Sequence, residues 1–158
     1  MEQLPIFLNL AGQPVLVIGT GEAAEAKARL ITRAGGRIVT DVAGSPRLAF
    51  VALEDEAEAT SAAAELRARG LLVNVVDRPA LCDFTTPAII DRAPVTIAIG
   101  SAGASAGLAK ALRQRLEALL PADLGRLAAA LSAARTVLRM RWPDKDARRR
   151  AIDTALEP

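Results

Sequence analysis

Apolar and polar positions alternate along this chain with two distinct periods. Short apolar runs at residues 15–18, 48–53, 71–76 and 95–99 are bounded by Gly, Pro, Asp or charged residues. That length and those boundaries suit buried strands. Longer Ala-rich stretches at 22–34, 54–69 and 106–120 follow three of these runs, and their spacing suits helices laid over a sheet. In the first of them Ala24, Ala28, Ile31 and Ala34 form the stripe expected to be buried, and Gly35-Gly36 ends the helix. Residues 37–40 read as a second strand, and 123–140 and 147–156 as further helices around Trp142-Pro143. The lead-in Leu4-Pro5-Ile6-Phe7-Leu8 is expected to pack on the sheet. Strands alternating with helices predict an α/β fold with a mainly parallel, helix-covered sheet.

One connection strains this scheme. Parallel neighbours need a crossover of a dozen or more residues, yet only residues 41–47 separate the second strand from the third. Seven extended residues reach about 24 Å, with no room for a helix. The third strand is either an antiparallel hairpin arm or the end of a stretched, structureless link. The link is the preferred reading, because the apolar run and the helix after it look like a standard unit.

Composition narrows the chemistry. The chain has 158 residues, 20 basic and 18 acidic, 3% aromatic, a single cysteine and no histidine. The missing histidine excludes His–zinc sites, Ser-His-Asp triads and Cys-His pairs. The lone Cys82 leaves no internal disulfide, so a reducing compartment is expected. No apolar stretch is long enough to span a membrane, and the acidic Glu2 start is unlike a signal peptide, so a cytoplasmic protein is expected. No nucleic-acid or membrane partner is called for. Charge is uneven: residues 135–150 hold seven bases and two acids, which reads as a solvated helical face or a meeting point for an acidic partner.

The turn after the first strand carries the most chemistry. Gly19-Thr20-Gly21-Glu22-Ala23-Ala24 joins a buried strand to a helix, the layout that holds a dinucleotide pyrophosphate in a Rossmann-like domain. Gly19 permits the tight turn, Gly21 lets the backbone approach phosphate, and Ala24 is small enough for the helix to pack on the sheet. The helix start offers N–H groups to the anion. Asp41 lies 20 residues past Gly21, just after strand two. It is either a ribose-binding carboxylate, which would favour NAD over NADP, or a turn residue. Asp77 closes the run 71–76 and is either a base at the strand ends or an Asx turn into Arg78-Pro79. Ser101, Gly103 and Ser105 fill the small-residue loop before a helix, where free amides and hydroxyls suit substrate carboxylates or simple capping. Cys82 has no base nearby in sequence and reads as inert.

Together these segments resemble the precorrin-2 dehydrogenase / sirohydrochlorin ferrochelatase module of siroheme synthases. The segments are Leu4-Pro5-Ile6-Phe7, residues 17–24 with Lys27-Ala28, Asn74-Val75-Val76-Asp77, Phe84, residues 87–92 with Pro94, residues 101–105, and Leu119-Leu120-Pro121. The resemblance covers about residues 3–125. It implies an NAD-binding Rossmann-like domain over residues 1–92, a small dimerisation element over 93–120 and C-terminal helices over 121–158. It further implies a homodimer that oxidises precorrin-2 to sirohydrochlorin with NAD⁺, in some members also inserting ferrous iron to give siroheme. The family's key aspartate falls on Asp77, its loop serine on Ser101, and its nucleotide contacts on Gly19, Gly21, Glu22 and Ala23. Arg92 or Arg113 is expected to help hold the carboxylates of the tetrapyrrole. With the chain ending at Pro158, it reads as the stand-alone form, without the methyltransferase domain fused in some members.

The sequence departs from this family in three places. A strand and its connection are missing between strand two and the third strand, which is the short link noted above. The Thr-Asp-Asp/Asn segment reads Leu53-Glu54-Asp55, and the Ser-Pro after the small-residue loop reads Ser105-Ala106. The shortened sheet leaves open an alternative, a non-catalytic dinucleotide-binding dimeric module, and a further one, an unrelated nucleotide-sensing regulator.

Overall fold

The computed structural model describes residues 2–156. Four strands make a parallel sheet: β1 (Pro14–Gly19), β2 (Arg37–Val39), β3 (Leu48–Ala52) and β4 (Leu72–Val75). Their order across the sheet is β2-β1-β3-β4. The chain divides into two compact units. The first runs to Thr86 and takes in Ala102–Ala104, and the second holds Pro87–Ser101 and the residues from Ser105 on.

In the first unit the strand pleat sorts side chains to two faces. Val15, Leu48 and Phe50 point to one face and pack with Ile31 of α1 (Gly21–Arg33). Leu16, Ala49, Val51, Val73 and Val75 point to the other and pack with Ala59, Ala63 and Leu66 of α2 (Glu56–Ala68). The small Ala59 and Ala63, both fully buried, let α2 sit close to the strands. Asp55 caps that helix, its Oδ1 accepting from the Glu58 N–H at 2.8 Å. The α1 stripe is narrower than its spacing suggests. Ala24 and Ile31 are buried, but Ala34 is exposed, because it has become the residue that closes the helix. The lead-in is also corrected. Leu4, Ile6, Phe7 and Leu8 are exposed, and only Leu10 packs on the α1-side core.

The link reading holds: β3 runs parallel to β1, and residues 40–47 contain no helix. The geometry works because β2 is only three residues long. Val39 lies opposite Leu16 and Leu48 opposite Val15, so the link shifts the register by one position. It otherwise has to cross two strand spacings, about 10 Å. Val42 from the link packs beside Val39 on the α2-side core, covering part of the face where a crossover helix would lie.

Beyond β4 the chain makes a 3₁₀ turn at Pro79–Leu81 and then runs back along the outer edge of β4. Asp83 N–H donates to Val73 O at 2.8 Å, and its Oδ2 accepts from Val73 N–H at 2.9 Å. Cys82 stands in for a strand residue: its sulfur accepts from the Val75 N–H and donates to the Val75 O, both at 3.2 Å. Arg67 of α2 locks the segment, its Nε donating to both Asp83 carboxylate oxygens at 2.9 and 3.0 Å and its Nη2 to Leu81 O at 2.7 Å.

In the second unit β5 (Ala88–Arg92) and β6 (Val95–Ile99) form an antiparallel hairpin of their own, followed by α3 (Ala106–Leu119). The run at 95–99 is thus paired with a strand that periodicity passed over, not added to the parallel sheet. Residues 123–140, expected as one helix, are two: α4 (Leu124–Ala133) and α5 (Arg135–Arg141), divided at Ala134. The last helix, α6, is Lys145–Leu156. Among the described residues no helix is long and apolar enough to cross a membrane.

Asp83 carries two jobs that nothing nearby can take over. Asp83→Ala strands the Val73 N–H and the Arg67 guanidinium, and is expected to cost about 2 kcal/mol, measured by urea unfolding. Asp83→Asn, which keeps an acceptor for Val73, is expected to recover part of that loss.

Candidate active site

Parallel pairing brings the carboxyl ends of β1, β3 and β4 to one edge. Gly19 lies opposite Ala52, and Val51 opposite Val75, so the Gly19–Ala23 turn and Asp77 share that edge, about 10 Å apart across two strand spacings. Each glycine of the turn has its own reason. Gly19 has φ +106°, and a Cβ there would lie 2.0 Å from the Ala52 carbonyl oxygen, so the close approach of β3 demands glycine. Gly21 has φ +81° with nothing within 4 Å of the place a Cβ would take. Space is therefore left open in front of the first turn of α1. Thr20 precedes that helix in extended conformation and makes no side-chain cap, so the leading amides of Gly21, Glu22 and Ala23 are left for an external acceptor. A dinucleotide pyrophosphate fits this arrangement: open space, amides without a side-chain partner, and a helix start. The Glu22 side chain is exposed, so its part in such a site is its main-chain N–H.

Asp77 follows β4 at φ +59°, a left-handed conformation uncommon for a residue with a side chain and one that gathers at functional sites. Its carboxylate is exposed. The next residue fixes the turn. Arg78 donates from Nη1 to Leu53 O at 2.9 Å and from Nη2 to Glu54 O at 2.6 Å, tying the Asp77 turn to the loop between β3 and α2. The Asp-Arg-Pro run suggested a turn, but which carbonyls the arginine would grip had no signal in the sequence.

Lys27 is the group that sequence reasoning left without a role. It lies on α1, half-buried, with Nζ donating to Thr86 Oγ1 at 2.9 Å and lying 5.6 Å from the Phe50 ring centre. Burial holds its ammonium below the usual lysine range, while the Asp77 carboxylate and then Cys82 pull the other way. The half-buried Lys27 ammonium thus feels the Asp77 carboxylate. Its signal was a lone lysine on an otherwise apolar helix stripe.

The other sequence candidates lie apart from this pair. Asp41 is exposed two residues past the end of β2, its Oδ1 accepting from the Ala43 N–H at 2.9 Å, an Asx turn that begins the short link. Ser101 and Ser105 bond each other: Ser101 Oγ donates to Ser105 O at 3.1 Å and accepts from Ser105 N–H at 3.3 Å. Ser105 Oγ also caps α3 by accepting from Leu108 N–H at 3.1 Å. Gly103, at φ +84°, sits with the first unit, where a Cβ would come 3.8 Å from Pro79 Cβ. Arg92 and Arg113 both pair with Glu117, so neither guanidinium is free. A cleft of about 710 Å³ opens at the opposite end of the strands, lined by Pro14, Leu48 and Leu72 among others. It is therefore remote from the glycine turn. Among the described residues no group of three or more His, Cys, Asp or Glu is placed to hold a metal ion.

A family model described as "Putative NAD(P)-binding" matches residues 6–45 and 39–88. The chain belongs to this NAD(P)-binding family. The two matched segments meet at the link between β2 and β3, where the family pattern is interrupted. The chain is 40% identical to the siroheme synthase of Chromobacterium violaceum over 99% of its own length and 39% of the relative's. It is 42% identical to that of Thiobacillus denitrificans over 96% and 37%. The chain spans about two fifths of the length of these curated relatives. The first alignment runs over 184 residues against the 158 of this chain, so the relative carries additional residues within the matched span. A solved structure of SirC, a precorrin-2 dehydrogenase, superposes with a TM-score of 0.73 at 18% identity, covering 98% of this chain and 90% of that one. That likeness confirms the fold, and the siroheme synthase matches bear out the resemblance read from the sequence.

Gly21→Ala places a methyl group in the open space before α1 and is expected to weaken NAD⁺ binding at least tenfold by calorimetry. The Lys27 shift has a definite sign. A lysine whose folded pKa lies below its unfolded value binds fewer protons when folded, so stability rises with pH between the two values. Wild-type protein should gain unfolding free energy relative to Lys27→Met as pH climbs toward the ordinary lysine value of 10.5. Parallel urea-unfolding curves for the two proteins would contradict this.

Proposed function

We propose that this chain is an NAD-dependent dehydrogenase that oxidises precorrin-2 to sirohydrochlorin. The observation that carries the reading is the pairing at one sheet edge of a pyrophosphate-sized turn with an exposed carboxylate held at positive φ. The names of the siroheme synthase relatives and of the superposing precorrin-2 dehydrogenase supply the substrate. NAD⁺, when bound, takes up a hydride. The chain's own part is to bind the pyrophosphate on the amides of Gly21, Glu22 and Ala23, and to accept the accompanying substrate proton on the Asp77 carboxylate. The Arg78 clamp keeps that carboxylate at the strand ends, and Asp41, just past β2, is the residue assigned to the ribose. Ser101, Gly103 and Ser105 are kept as candidates for a substrate carboxylate, with the Ser105 N–H given to Ser101 Oγ and the Ser105 Oγ to the Leu108 N–H in this structure. In iron insertion, Asp77 would serve again as the base that removes pyrrole protons.

In this reading residues 1–92 bind the dinucleotide, 93–120 pair two subunits and 121–158 form the helical remainder of a cytoplasmic homodimer. Support for the pairing lies on α3. Leu108, Leu112, Leu116 and Leu119 are 53, 39, 38 and 78% exposed at helical spacing, an apolar stripe open to solvent among the described residues.

The test is anaerobic turnover of precorrin-2 with NAD⁺, following sirohydrochlorin and NADH together. Asp77→Asn, which keeps the size and removes the base, is expected to lower kcat at least a hundredfold with NAD⁺ affinity unchanged. A folded protein that binds NAD⁺ but turns nothing over would support the non-catalytic module, the alternative raised by the short β2–β3 link.

A further inference from the structure

The seven bases in residues 135–150 are left unexplained by the dehydrogenase reading, and three of them converge. Arg135 and Arg139, one turn apart on α5, and Arg148 on α6 line a cleft of about 290 Å³ whose apolar wall is Leu131, Leu138 and Ile152. Arg148 is aimed by main-chain oxygens: its Nη1 donates to Trp142 O at 2.7 Å and to Pro143 O at 3.3 Å. None of the three forms an ion pair among the described residues. The nearby acids do not neutralise them. Asp144 spends its Oδ1 on the Ala147 N–H at the start of α6, and Asp146 is exposed.

Three arginines lining one small cleft concentrate positive charge there, and an anion is what offsets it. Planar N–H forks match carboxylate oxygens two at a time. The apolar wall adds a preference for an organic frame over a bare inorganic ion, since a phosphate would leave Leu138 and Ile152 uncovered. The volume lies at the small end of ligand sites. It suits a compact acid, or one acidic arm of a larger molecule, and excludes a whole macrocycle.

We propose that the cleft between α4, α5 and α6 is a binding site for the carboxylate groups of a small organic polyanion, gripped by Arg135, Arg139 and Arg148. The carboxylates come either from a free tricarboxylic acid or from the acid side chains of a larger ring.

The reporter is built in. Trp142 is the chain's one tryptophan. Its carbonyl holds Arg148, and Arg141 lies 6.0 Å from its ring centre. Citrate titrated into the full-length protein is expected to give a saturable change in Trp142 fluorescence. Arg135→Gln/Arg139→Gln, at two exposed positions, is expected to weaken that binding at least tenfold with the unfolding midpoint retained. Uroporphyrin, followed by its own anisotropy, separates the two sources. Binding that citrate displaces and the double variant loses assigns the site to a ring's acid arms, and citrate binding alone assigns it to the free acid. The proposal is overturned if neither probe binds, if the double variant binds citrate as wild type does, or if inorganic phosphate binds as tightly as citrate.

Discussion

The contact between β1 and β3 at Gly19 and Ala52 governs the working edge of the first unit. Side chains are absent at the one place where the β3 carbonyl crosses the turn, so β1 can end in a glycine bend while still paired with its neighbour. That bend sets the direction of α1, and α1 brings the free amides at its start to this edge and carries Lys27, bonded to Thr86, further along. The opposite flank is fixed through β3 as well. Its exit loop supplies the two carbonyls gripped by Arg78, so the strand that forbids a side chain at Gly19 also anchors the turn that carries Asp77.

Much of this was legible in the sequence, because strands and helices here are short, regular and punctuated. The runs at 15–18, 48–53 and 71–76 became β1, β3 and β4 with no end shifted by more than one residue, and the glycine turn fell where a strand meets a helix. The link was legible in part: arithmetic excluded a crossover helix and left a hairpin arm or a stretched link, and the standard look of the third run and its helix favoured the link. Its ease was not. That depended on β2 stopping at Val39, and backbone reach says nothing about where a strand will end.

The misses share a cause, which is that they depend on pairings between particular groups that hydrophobic periodicity does not register. β5 has only a brief apolar run and takes its structure from β6 across a turn. Leu4, Ile6 and Phe7 have the composition of a core segment but find no sheet face left to cover. Cys82 reads as an inert thiol, and the part its sulfur plays in completing a backbone ladder had no signal in the sequence. Arg92 and Arg113 look available until Glu117 is seen between them. Lys27, Arg78 and Asp83 gain meaning only from the groups they meet 59, 24 to 25, and 10 residues away.

The return of the chain along β4 has a consequence for how copies of this protein meet. A parallel sheet has two open rims, each a template for a foreign strand. One rim is sealed by residues 81–84 and bolted down by Arg67, and the other is a β2 of three residues, too short to hold an added strand in register. This sheet is therefore a poor seed for edge-to-edge aggregation, and a foreign strand finds no ready template on the dinucleotide-binding unit.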